Sequence, residues 1–287
     1  MSVQPDQAGT CLARIRQIYS SLYQAEQKVA SFVLSHPEDI IHLSITEVAE
    51  RSGVSEATVV RFCQSLGYKG YHELKITLAG EIVSPLRLVH EDIKEDDDVA
   101  QVIEKVFHSD MQALHDTKKI LDAAEIEKAV QAIAVARKVE FYAAGNSIPV
   151  ALDAHYRFLR IGVPSSLYFD PAIQAMSATL LTKYDVGIGI SHSGSSKDTV
   201  ESLRLAREAG ATTICITNHS KSPITRVAAI QLFTTSDETT FRDEAMASRI
   251  AEFAIIDTLY VGVALRRFSQ SLAYIKKTGE VVVDRKF

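Results

Sequence analysis

The chain has 287 residues, of which 46% are apolar and 23% charged, and its formal net charge at pH 7 is −5. These values are typical of a soluble globular protein with room for two domains and a sizeable core. The acidic balance excludes a protein that attracts nucleic acid through its overall charge.

The start of the chain, its apolar segments and its cysteines favour the cytoplasm. Residues 1–10 lack the basic and then apolar order of a signal peptide. The most apolar late stretch, residues 254–265, is interrupted by an aspartate and is too short to span a bilayer. The three cysteines, Cys11, Cys63 and Cys215, are odd in number and far apart. Cys63 lies beside a helical apolar stripe and Cys215 inside an apolar strand, which favours buried thiols over metal ligands at both, and this pattern suits a reducing compartment. We therefore expect a cytoplasmic protein without membrane contact.

The first part of the chain has the periodicity of helices. Apolar residues recur at helical spacing in two segments within residues 12–35. The second segment must stop near His36, because the residue before Pro37 is driven out of the α region. A short helix over residues 37–41 and a longer one over about 71–82 are also predicted. Together with two helices between them, they make a unit of five or six helices.

The segment between those two helices has the features of a tight helical corner. Ser44 and Glu47 form a capping box that opens a short helix. Gly53 can end that helix because glycine adopts positive φ at no steric cost. Ser55 then caps a second helix, which runs to about Leu66. Two short helices joined in this way predict a helix-turn-helix.

The second helix of the corner separates an apolar side from a polar side. Val59, Phe62 and Leu66 recur at spacings of three and four and form the inner side. The outer side offers short polar groups, one Arg and one Gln, a surface that fits the major groove of DNA. A plain helical corner without DNA contact is the alternative. The predicted DNA-contacting residues are Ser55, Glu56, Ala57, Thr58, Arg61, Gln64 and Lys69.

Charge limits how such a corner binds DNA. Residues 1–84 contain seven Lys and Arg against nine Asp and Glu, a balance of −2. Attraction to phosphates must therefore be local, from Arg51, Arg61, Lys69 and Lys75. We expect weak binding by one copy and a dependence on two half-sites bound together. The predicted partner is double-stranded DNA with an inverted repeat, bound by a homodimer or homotetramer.

An acidic run over residues 89–98 separates the predicted domains. Ser84-Pro85 ends the last helix of the first part, and the run has the composition of a solvated linker. Helices follow over about residues 99–121 and 123–136. We accordingly place a helix-turn-helix domain at residues 1–84, a linker and connecting helix at 85–122, and an α/β domain at 123–287.

Beyond Lys138, short β-rich apolar runs alternate with helical patterns. Such alternation predicts a doubly wound parallel sheet with helices on both faces. A long apolar helix over about residues 243–268 and a polar tail over 278–287 end the chain, with Val281 to Val283 as a candidate edge contact. The predicted strands cover residues 139–144, 165–168, 185–190, 212–217 and 230–234.

Two serine-bearing loops follow predicted strands. Residues 191–196 read Ser-His-Ser-Gly-Ser-Ser and open a helix, and residues 145–147 follow the first strand. Ligands of open parallel sheets bind beyond the carboxyl ends of strands, and the first turn of a helix offers free N–H groups to anions. Four serine hydroxyls exceed what one helix cap needs, so phosphate binding is favoured over a serine-rich N-cap. The predicted ligand residues in these loops are Gly145, Asn146, Ser147, Ser191, His192, Ser193, Gly194, Ser195 and Ser196.

Other chemistries lack their sequence patterns. Gly187 and Gly189 begin like a dinucleotide fingerprint whose third glycine is missing, and the chain contains no Walker sequence. No spacing of histidines or cysteines is that of a zinc site. We therefore predict no cofactor, no metal site and no catalytic residue.

Two blocks of the sequence resemble the RpiR/MurR family of bacterial transcription regulators. The first covers residues 49–71 and the second residues 189–199, while residues 241–251 resemble the family's late helix. The resemblance extends in the family's order over nearly the whole chain, although the second block is shared with all sugar isomerase (SIS) domains, enzymes included. It implies an N-terminal helix-turn-helix domain and a C-terminal SIS domain that senses a phosphosugar.

The resemblance also implies roles for particular residues. In SIS domains the serines of the two loops hold the phosphate, and here these are Ser147, Ser191, Ser193 and Ser196. Glu244 in the late helix is a further candidate, as a group that holds sugar hydroxyls.

The implied function is that of a transcription regulator, acting as a repressor of sugar catabolism genes, whose operator affinity is controlled by a sugar phosphate. The alternative is a sugar-phosphate isomerase or lyase with a helical appendage. Such an enzyme needs a base near the sugar carbons, for which Glu238, Glu244 and His155 are the candidates.

Overall fold

The structure, a computed structural model, describes residues 10–82, 94, 96–235 and 246–283. The chain divides into two compact units, with a boundary between Phe107 and His108. That boundary falls inside the segment predicted as linker and connecting helix, residues 85–122. The domain limits 1–84 and 123–287 themselves stay a prediction.

Six helices lie within residues 10–82 and surround one apolar core. They are α1 (Cys11–Ile18), α2 (Gln24–Ser35), α3 (Pro37–Ile40), α4 (Ile45–Ser52), α5 (Glu56–Ser65) and α6 (Tyr71–Ile82). Pro37 separates α2 from α3, and it occupies the first turn of α3, where its missing N–H leaves no bond unmade. Val29, Phe62 and Leu74 are fully buried in the core. The predicted unit of five or six helices is confirmed.

Two helices precede the sheet, α7 (Val99–Ile120) and α8 (Ala123–Val135). Asp98 and Gln101 cap the start of α7 reciprocally. Asp98 Oδ1 accepts a hydrogen bond from the Gln101 N–H at 2.8 Å, and Gln101 Oε1 accepts one from the Asp98 N–H at 2.9 Å. Asp122 caps α8 by accepting from the Ala124 N–H at 2.7 Å. Both caps satisfy N–H groups that a helix cannot pair internally.

The second unit contains a five-stranded sheet in which every neighbouring pair of strands is parallel. Its order is β2-β1-β3-β4-β5, so the chain leaves β1 toward one edge and then returns to the other side of β1. The strands read as continuous apolar runs because helices cover both faces of the sheet. They are β1 (Lys138–Ala143), β2 (Ser165–Leu167), β3 (Asp185–Ile190), β4 (Thr212–Thr217) and β5 (Ile230–Phe233).

Six further helices belong to this unit: α9 (Ile148–Arg160), α10 (Pro171–Ala178), α11 (Lys197–Glu208), α12 (Pro223–Val227), α13 (Met246–Arg266) and α14 (Phe268–Val283). One buried cluster joins α8, α9 and α13 to strand residues such as Phe141 and Ile188. A second cluster joins α10, α11 and α12 to Tyr142 and Cys215. Two clusters on a single sheet confirm the predicted doubly wound α/β architecture.

An ion pair between a buried aspartate and an exposed arginine fixes the amino end of the central strands. Asp185, the first residue of β3, accepts hydrogen bonds from Arg137 Nε at 2.9 Å and Nη2 at 2.7 Å. The N–H and hydroxyl of Thr182 also donate to it, each at 2.8 Å. Burial raises the pKa of the Asp185 carboxyl, but the hydrogen bonds from Arg137 and Thr182 outweigh burial and bring the pKa below its ordinary value.

The structure corrects the sequence prediction at the end of the chain. The predicted long helix over about residues 243–268 is α13, which ends at Arg266, and its predicted start at residue 243 lies outside the described residues. A separate helix, α14, follows it and was not predicted. The predicted tail with an edge contact at Val281 to Val283 is wrong, because α14 continues to Val283. Helices α10 and α12 were not predicted either.

Two features bear on the expected compartment. Cys11, Cys63 and Cys215 are buried free thiols, as predicted for Cys63 and Cys215. Burial raises the pKa of Cys63 and of Cys215 to about 12, so both remain protonated at neutral pH. Within the described ranges, no helix combines the length and the apolar character that crossing a membrane requires.

Candidate functional site

The helical corner has the local geometry that its sequence predicts. The Ser44 N–H donates to Glu47 Oε2 at 2.8 Å and the Glu47 N–H donates to Ser44 Oγ at 3.2 Å, which completes the capping box of α4. Gly53 has φ 65° and ψ 42°, the left-handed conformation in which glycine ends a helix. The Val54 N–H donates to the Ala49 carbonyl at 2.9 Å and closes the turn. The predicted helix-turn-helix geometry is confirmed.

The inner side of α5 is as predicted, and its outer side differs at one residue. Val59, Phe62 and Leu66 are buried in the core. Thr58, predicted on the outer side, is only 5% exposed, so that placement is wrong. Its hydroxyl lies 3.0 Å from Ser55 Oγ and accepts a hydrogen bond from Arg61 Nη2 at 3.2 Å. Thr58 thus points along the helix surface and holds Arg61.

Of the seven predicted DNA-contacting residues, five are exposed, Glu56 is half-buried and Thr58 is buried. Glu56 accepts a short hydrogen bond from the Thr46 hydroxyl, which links the first turn of α5 to the first turn of α4. Both first turns are therefore held against each other. The exposed residues are Ser55, Ala57, Arg61, Gln64 and Lys69.

The cations around the corner divide into two kinds. Arg51, Arg61 and Lys69 are exposed and fit the predicted contact with DNA phosphates or bases. Lys75 is half-buried, and its ammonium donates to the Leu43 carbonyl at 3.3 Å, so it is not placed as the sequence analysis expected.

Sequence reasoning missed Arg14 as a support of the corner. The Arg14 guanidinium donates a short hydrogen bond to the Leu66 carbonyl at the end of α5 and lies 5.1 Å from the centre of the Tyr68 ring. A cation at the carboxyl end of a helix also interacts favourably with the helix dipole. No short-range pattern identifies this role, because 52 residues separate Arg14 from Leu66.

The two serine-bearing loops leave the sheet at the same place. Ala143 and Ile190, the last residues of β1 and β3, are partners in the parallel register. The loops at residues 145–147 and 191–196 therefore emerge side by side, beyond the carboxyl ends of adjacent strands. After β1 the chain continues to β2 on one side, and after β3 it continues to β4 on the other side. A crevice therefore opens between the two loops at this topological switch point, which is where open α/β sheets bind ligands.

Hydrogen bonds within the second loop shape it around its serines. Ser191 is buried and donates from Oγ to Ser196 Oγ at 3.0 Å. Ser193 Oγ accepts from the Ser195 N–H at 3.3 Å. Ser196 stands at the N-cap position of α11, yet its hydroxyl contacts Ser191 rather than capping the helix. This arrangement disfavours a plain N-cap, because an N-cap serine bonds to a backbone N–H of its own helix.

Gly194 allows this loop to pass close to the next one. Its φ is 62°, and a Cβ at this position would lie 2.1 Å from Ser222 Oγ. The Ile224 N–H donates to the Gly194 carbonyl at 3.0 Å. Glycine is therefore required here both for the backbone conformation and for space.

A third loop, residues 218–222 after β4, holds the serine loop and was missed by the sequence analysis. The Thr217 hydroxyl and the Asn218 N–H donate to the His192 carbonyl at 3.1 and 3.0 Å. The rings of His192 and His219 meet edge-on with centroids 6.1 Å apart. The signal was available, because β4 adjoins β3 and its loop must emerge at the same edge.

The first loop and its surroundings supply further polar groups. Gly145 has φ 55°, Asn146 is exposed and Ser147 is buried behind them. Gln174 on α10 donates from Nε2 to the Ala143 carbonyl at 3.1 Å and to the Tyr168 carbonyl at 2.7 Å. It thereby ties together the ends of β1 and β2 beside the crevice, a role that sequence reasoning did not identify.

One candidate base of the enzyme alternative, His155, lies away from the crevice. His155 Nδ1 lies 2.9 Å from Ser165 Oγ, and Ser165 begins β2 in register with Val139. Four residues of β1 separate Val139 from Ala143, where the strand ends and the first serine-bearing loop follows. At 3.3 Å per residue, the start of β2 therefore lies about 13 Å along the strands from this end of the sheet. Burial lowers the pKa of His155. Glu238 and Glu244, the other candidates, lie outside the described residues.

Comparisons with known proteins agree with both units. The helix-turn-helix domain of the rpiR family matches residues 9–85, and the SIS domain matches residues 132–262. The fold and the two sites thus define a transcriptional regulator with a helix-turn-helix domain and an SIS domain.

Matches over nearly the full length of the chain identify its family. It is 42% identical over 275 residues to an HTH-type transcriptional regulator of Caldanaerobacter subterraneus subsp. tengcongensis, covering 96% of this chain and 98% of that protein. The chain belongs to the rpiR family of helix-turn-helix regulators. A solved structure, the Vibrio vulnificus NanR protein complexed with ManNAc-6P, has a TM-score of 0.80 at 26% identity and covers 96% of this chain and 99% of that one.

The chain also resembles part of a larger protein. It is 38% identical over 256 residues to the bifunctional protein glk of Burkholderia thailandensis. This match covers 89% of the chain but 40% of the glk protein.

Proposed function

We propose that this chain is a repressor of sugar catabolism genes whose affinity for its operator is set by a sugar phosphate bound in the SIS domain. The observation that carries the proposal is the crevice between the loops after β1 and β3. There, the two serine-bearing loops emerge side by side, and the second loop leads into the first turn of α11.

The chemistry of the crevice fits a phosphate monoester. Serine hydroxyls donate hydrogen bonds without adding charge, and the first N–H groups of α11 add donors and the positive end of a helix dipole. Ser147, Ser191, Ser193 and Ser196 are the proposed phosphate ligands. NanR of Vibrio vulnificus is complexed with ManNAc-6P, which supports a sugar 6-phosphate as the class of effector.

The effector can control DNA binding only if its affinity differs between two states of the regulator. An effector shifts the regulator between states only if it binds one state more tightly than the other. The factor by which the effector changes the affinity for DNA equals the factor by which DNA changes the affinity for the effector. We propose that two copies of α5 contact two half-sites of an inverted repeat. The effector then changes operator affinity by changing the fraction of molecules in which the two copies of α5 have the spacing that both half-sites require.

The enzyme alternative receives no support from the position of His155, which contacts Ser165 at the amino end of β2, whereas the serine loops follow the carboxyl ends of β1 and β3. Turnover assays on a panel of hexose 6-phosphates test it directly. We expect binding without conversion, and conversion of any of them at an enzymatic rate would contradict the proposal.

Titration of the same panel by thermal shift and calorimetry tests the effector. A ligand at 100 times its dissociation constant raises stability by about 2.7 kcal/mol. We expect Ser193→Ala to weaken effector binding at least tenfold while operator binding without effector stays unchanged. The matched control is Ser269→Ala, an exposed serine on α14. If Ser193→Ala and Ser269→Ala respond alike to the effector, the serine loop does not hold the phosphate.

A further inference from the structure

The outer side of α5 carries two apolar side chains that the core of its unit does not use. Ala57 is exposed and Val60 is partly exposed. Among the described residues, the buried cluster of this unit and the apolar side chains packed against it include Val54 and Val59, but neither Ala57 nor Val60. Valine is also a weaker helix former than the long polar residues, because its branched side chain loses rotamer freedom in a helix. Neither core packing nor helix propensity therefore accounts for Val60.

The two apolar residues lie on one strip of α5 together with two long polar side chains. At 3.6 residues per turn, the strip covers a sector of about 100° around the helix, opposite the buried inner side. A partner that contacts the polar members of the strip therefore also meets its apolar members. In order around the helix, the members are Val60, Gln64, Ala57 and Arg61.

Charged side chains are held on both flanks of the apolar pair. The Arg61 guanidinium donates to the Thr58 hydroxyl at 3.2 Å, which keeps it beside the turn that carries Ala57. Glu56, four residues before Val60 and therefore its neighbour on the helix surface, accepts a hydrogen bond from a hydroxyl of α4. A carboxylate repels DNA phosphates, so the flank at Val60 is suited to base edges rather than to the DNA backbone.

The chemistry of this strip matches one base in particular. In the major groove, the C5 methyl of thymine is the group that apolar side chains contact, whereas the other groups are hydrogen-bond donors and acceptors. We propose that Ala57 and Val60 contact thymine methyl groups and so make thymine the preferred base beside the base that Arg61 contacts. The two residues are about 4.5 Å apart along the helix axis, close to one base-pair step of about 3.4 Å, so the pair fits one thymine or two successive ones. The inference rests on the proposed function, because it requires α5 to lie in the major groove.

Selection from a random duplex library by the full-length protein tests the preference for thymine. We expect each selected half-site to contain thymine near the position at which Arg61→Ala relaxes the base preference. The two positions should lie within about two base pairs, since residues 57–61 span about 6 Å of helix. Failure to enrich any sequence would overturn the proposed function together with this inference. Enriched half-sites without thymine at these positions would overturn this inference alone.

Replacement of single thymines by uracil in the selected duplex tests the methyl contact, because uracil lacks only that methyl group. We expect affinity to fall about fourfold for each replacement at these positions, as for the loss of one buried methyl group. Thymines elsewhere in the duplex should tolerate uracil without loss of affinity. Fluorescence anisotropy measures each pair of duplexes, and equal affinity for thymine and uracil at every position would contradict the contact.

Substitutions on α5 assign the methyl contact to its side chains. We expect Val60→Ser and Ala57→Gly each to reduce the difference between the thymine and uracil duplexes at one position to less than about twofold. Any loss of protein stability affects both duplexes equally, so their ratio reports the contact alone. The matched control is Val135→Ser, at a valine of α8 that is 84% exposed, which should keep the fourfold difference. Retention of the difference in both α5 variants, or its loss in Val135→Ser, would overturn the inference.

Discussion

Gly194 shows how one residue sets the shape of the proposed phosphate loop. Its positive φ and its closeness to Ser222 leave no room for a side chain. We expect Gly194→Ala to displace the loop, to abolish the effector response and to cost about 1–3 kcal/mol of stability. Calorimetric titration and urea unfolding measure the two effects. Gly279→Ala is the control, since a Cβ there meets nothing within 4 Å and should raise stability by up to about 1 kcal/mol. Effector binding of wild-type strength in Gly194→Ala would rule out this role.

Arg61 is the residue on which we expect base recognition to depend. The Thr58 hydroxyl holds its guanidinium at 3.2 Å, so the side chain is oriented before DNA binds. Arg61→Ala should lose about 1–3 kcal/mol of operator binding and relax the preference at one base position. A binding series over operator variants measures both. Arg16→Ala removes the same charge from an exposed position on α1 and should leave the base preference intact. An unchanged preference in Arg61→Ala would assign the residue to the DNA backbone instead.

The elements differ in how well the sequence predicts them. The corner around Gly53 and the five strands carry local signals, namely a capping box, a left-handed glycine and apolar runs between turns. Helix α14 lacks such a signal, because its start directly follows α13 without a turn signal between them. The burial of Thr58 and the support from Arg14 depend on contacts across the fold, which periodicity within one helix does not encode. The loop after β4 was predictable from topology, but it contains two serines against the four of residues 191–196 and so carries a weaker signal in its composition.

At the scale of the sheet, the ion pair of Asp185 with Arg137 ties the start of β3 to the residue before β1. The folded-state pKa of Asp185 is lowered, so its ionised form stabilises the fold at pH values above the unfolded pKa of about 4. That contribution is lost as the pH falls through the folded-state value. We expect Asp185→Asn to cost about 1–3 kcal/mol at pH 7 and less at pH 3 to 4. Urea unfolding of both proteins across this range gives the difference, and a difference independent of pH would contradict the assignment.

The charge of the whole molecule decides how it binds DNA. The net charge is −5, and residues 1–84 carry −2, so attraction to phosphates comes from a few exposed cations in each copy. If Arg51 and Lys69 of two copies release about four counterions, the logarithm of the operator association constant falls with the logarithm of salt concentration with a slope of about −4. A single copy would show about half that slope. The slope therefore reports on two copies acting together.

Lys69→Ala tests this dependence. Because the variant removes one phosphate contact from each of two copies, it should reduce the slope by about 2 and weaken operator and non-specific DNA equally. Lys75→Ala is the matched control from the same unit, since the Lys75 ammonium donates to the Leu43 carbonyl and should not contribute to the slope. Fluorescence anisotropy between about 50 and 200 mM salt covers the range in which such slopes are measured. A reduction of about 1 would indicate that only one copy binds, and an equal change in both variants would remove Lys69 from the interface.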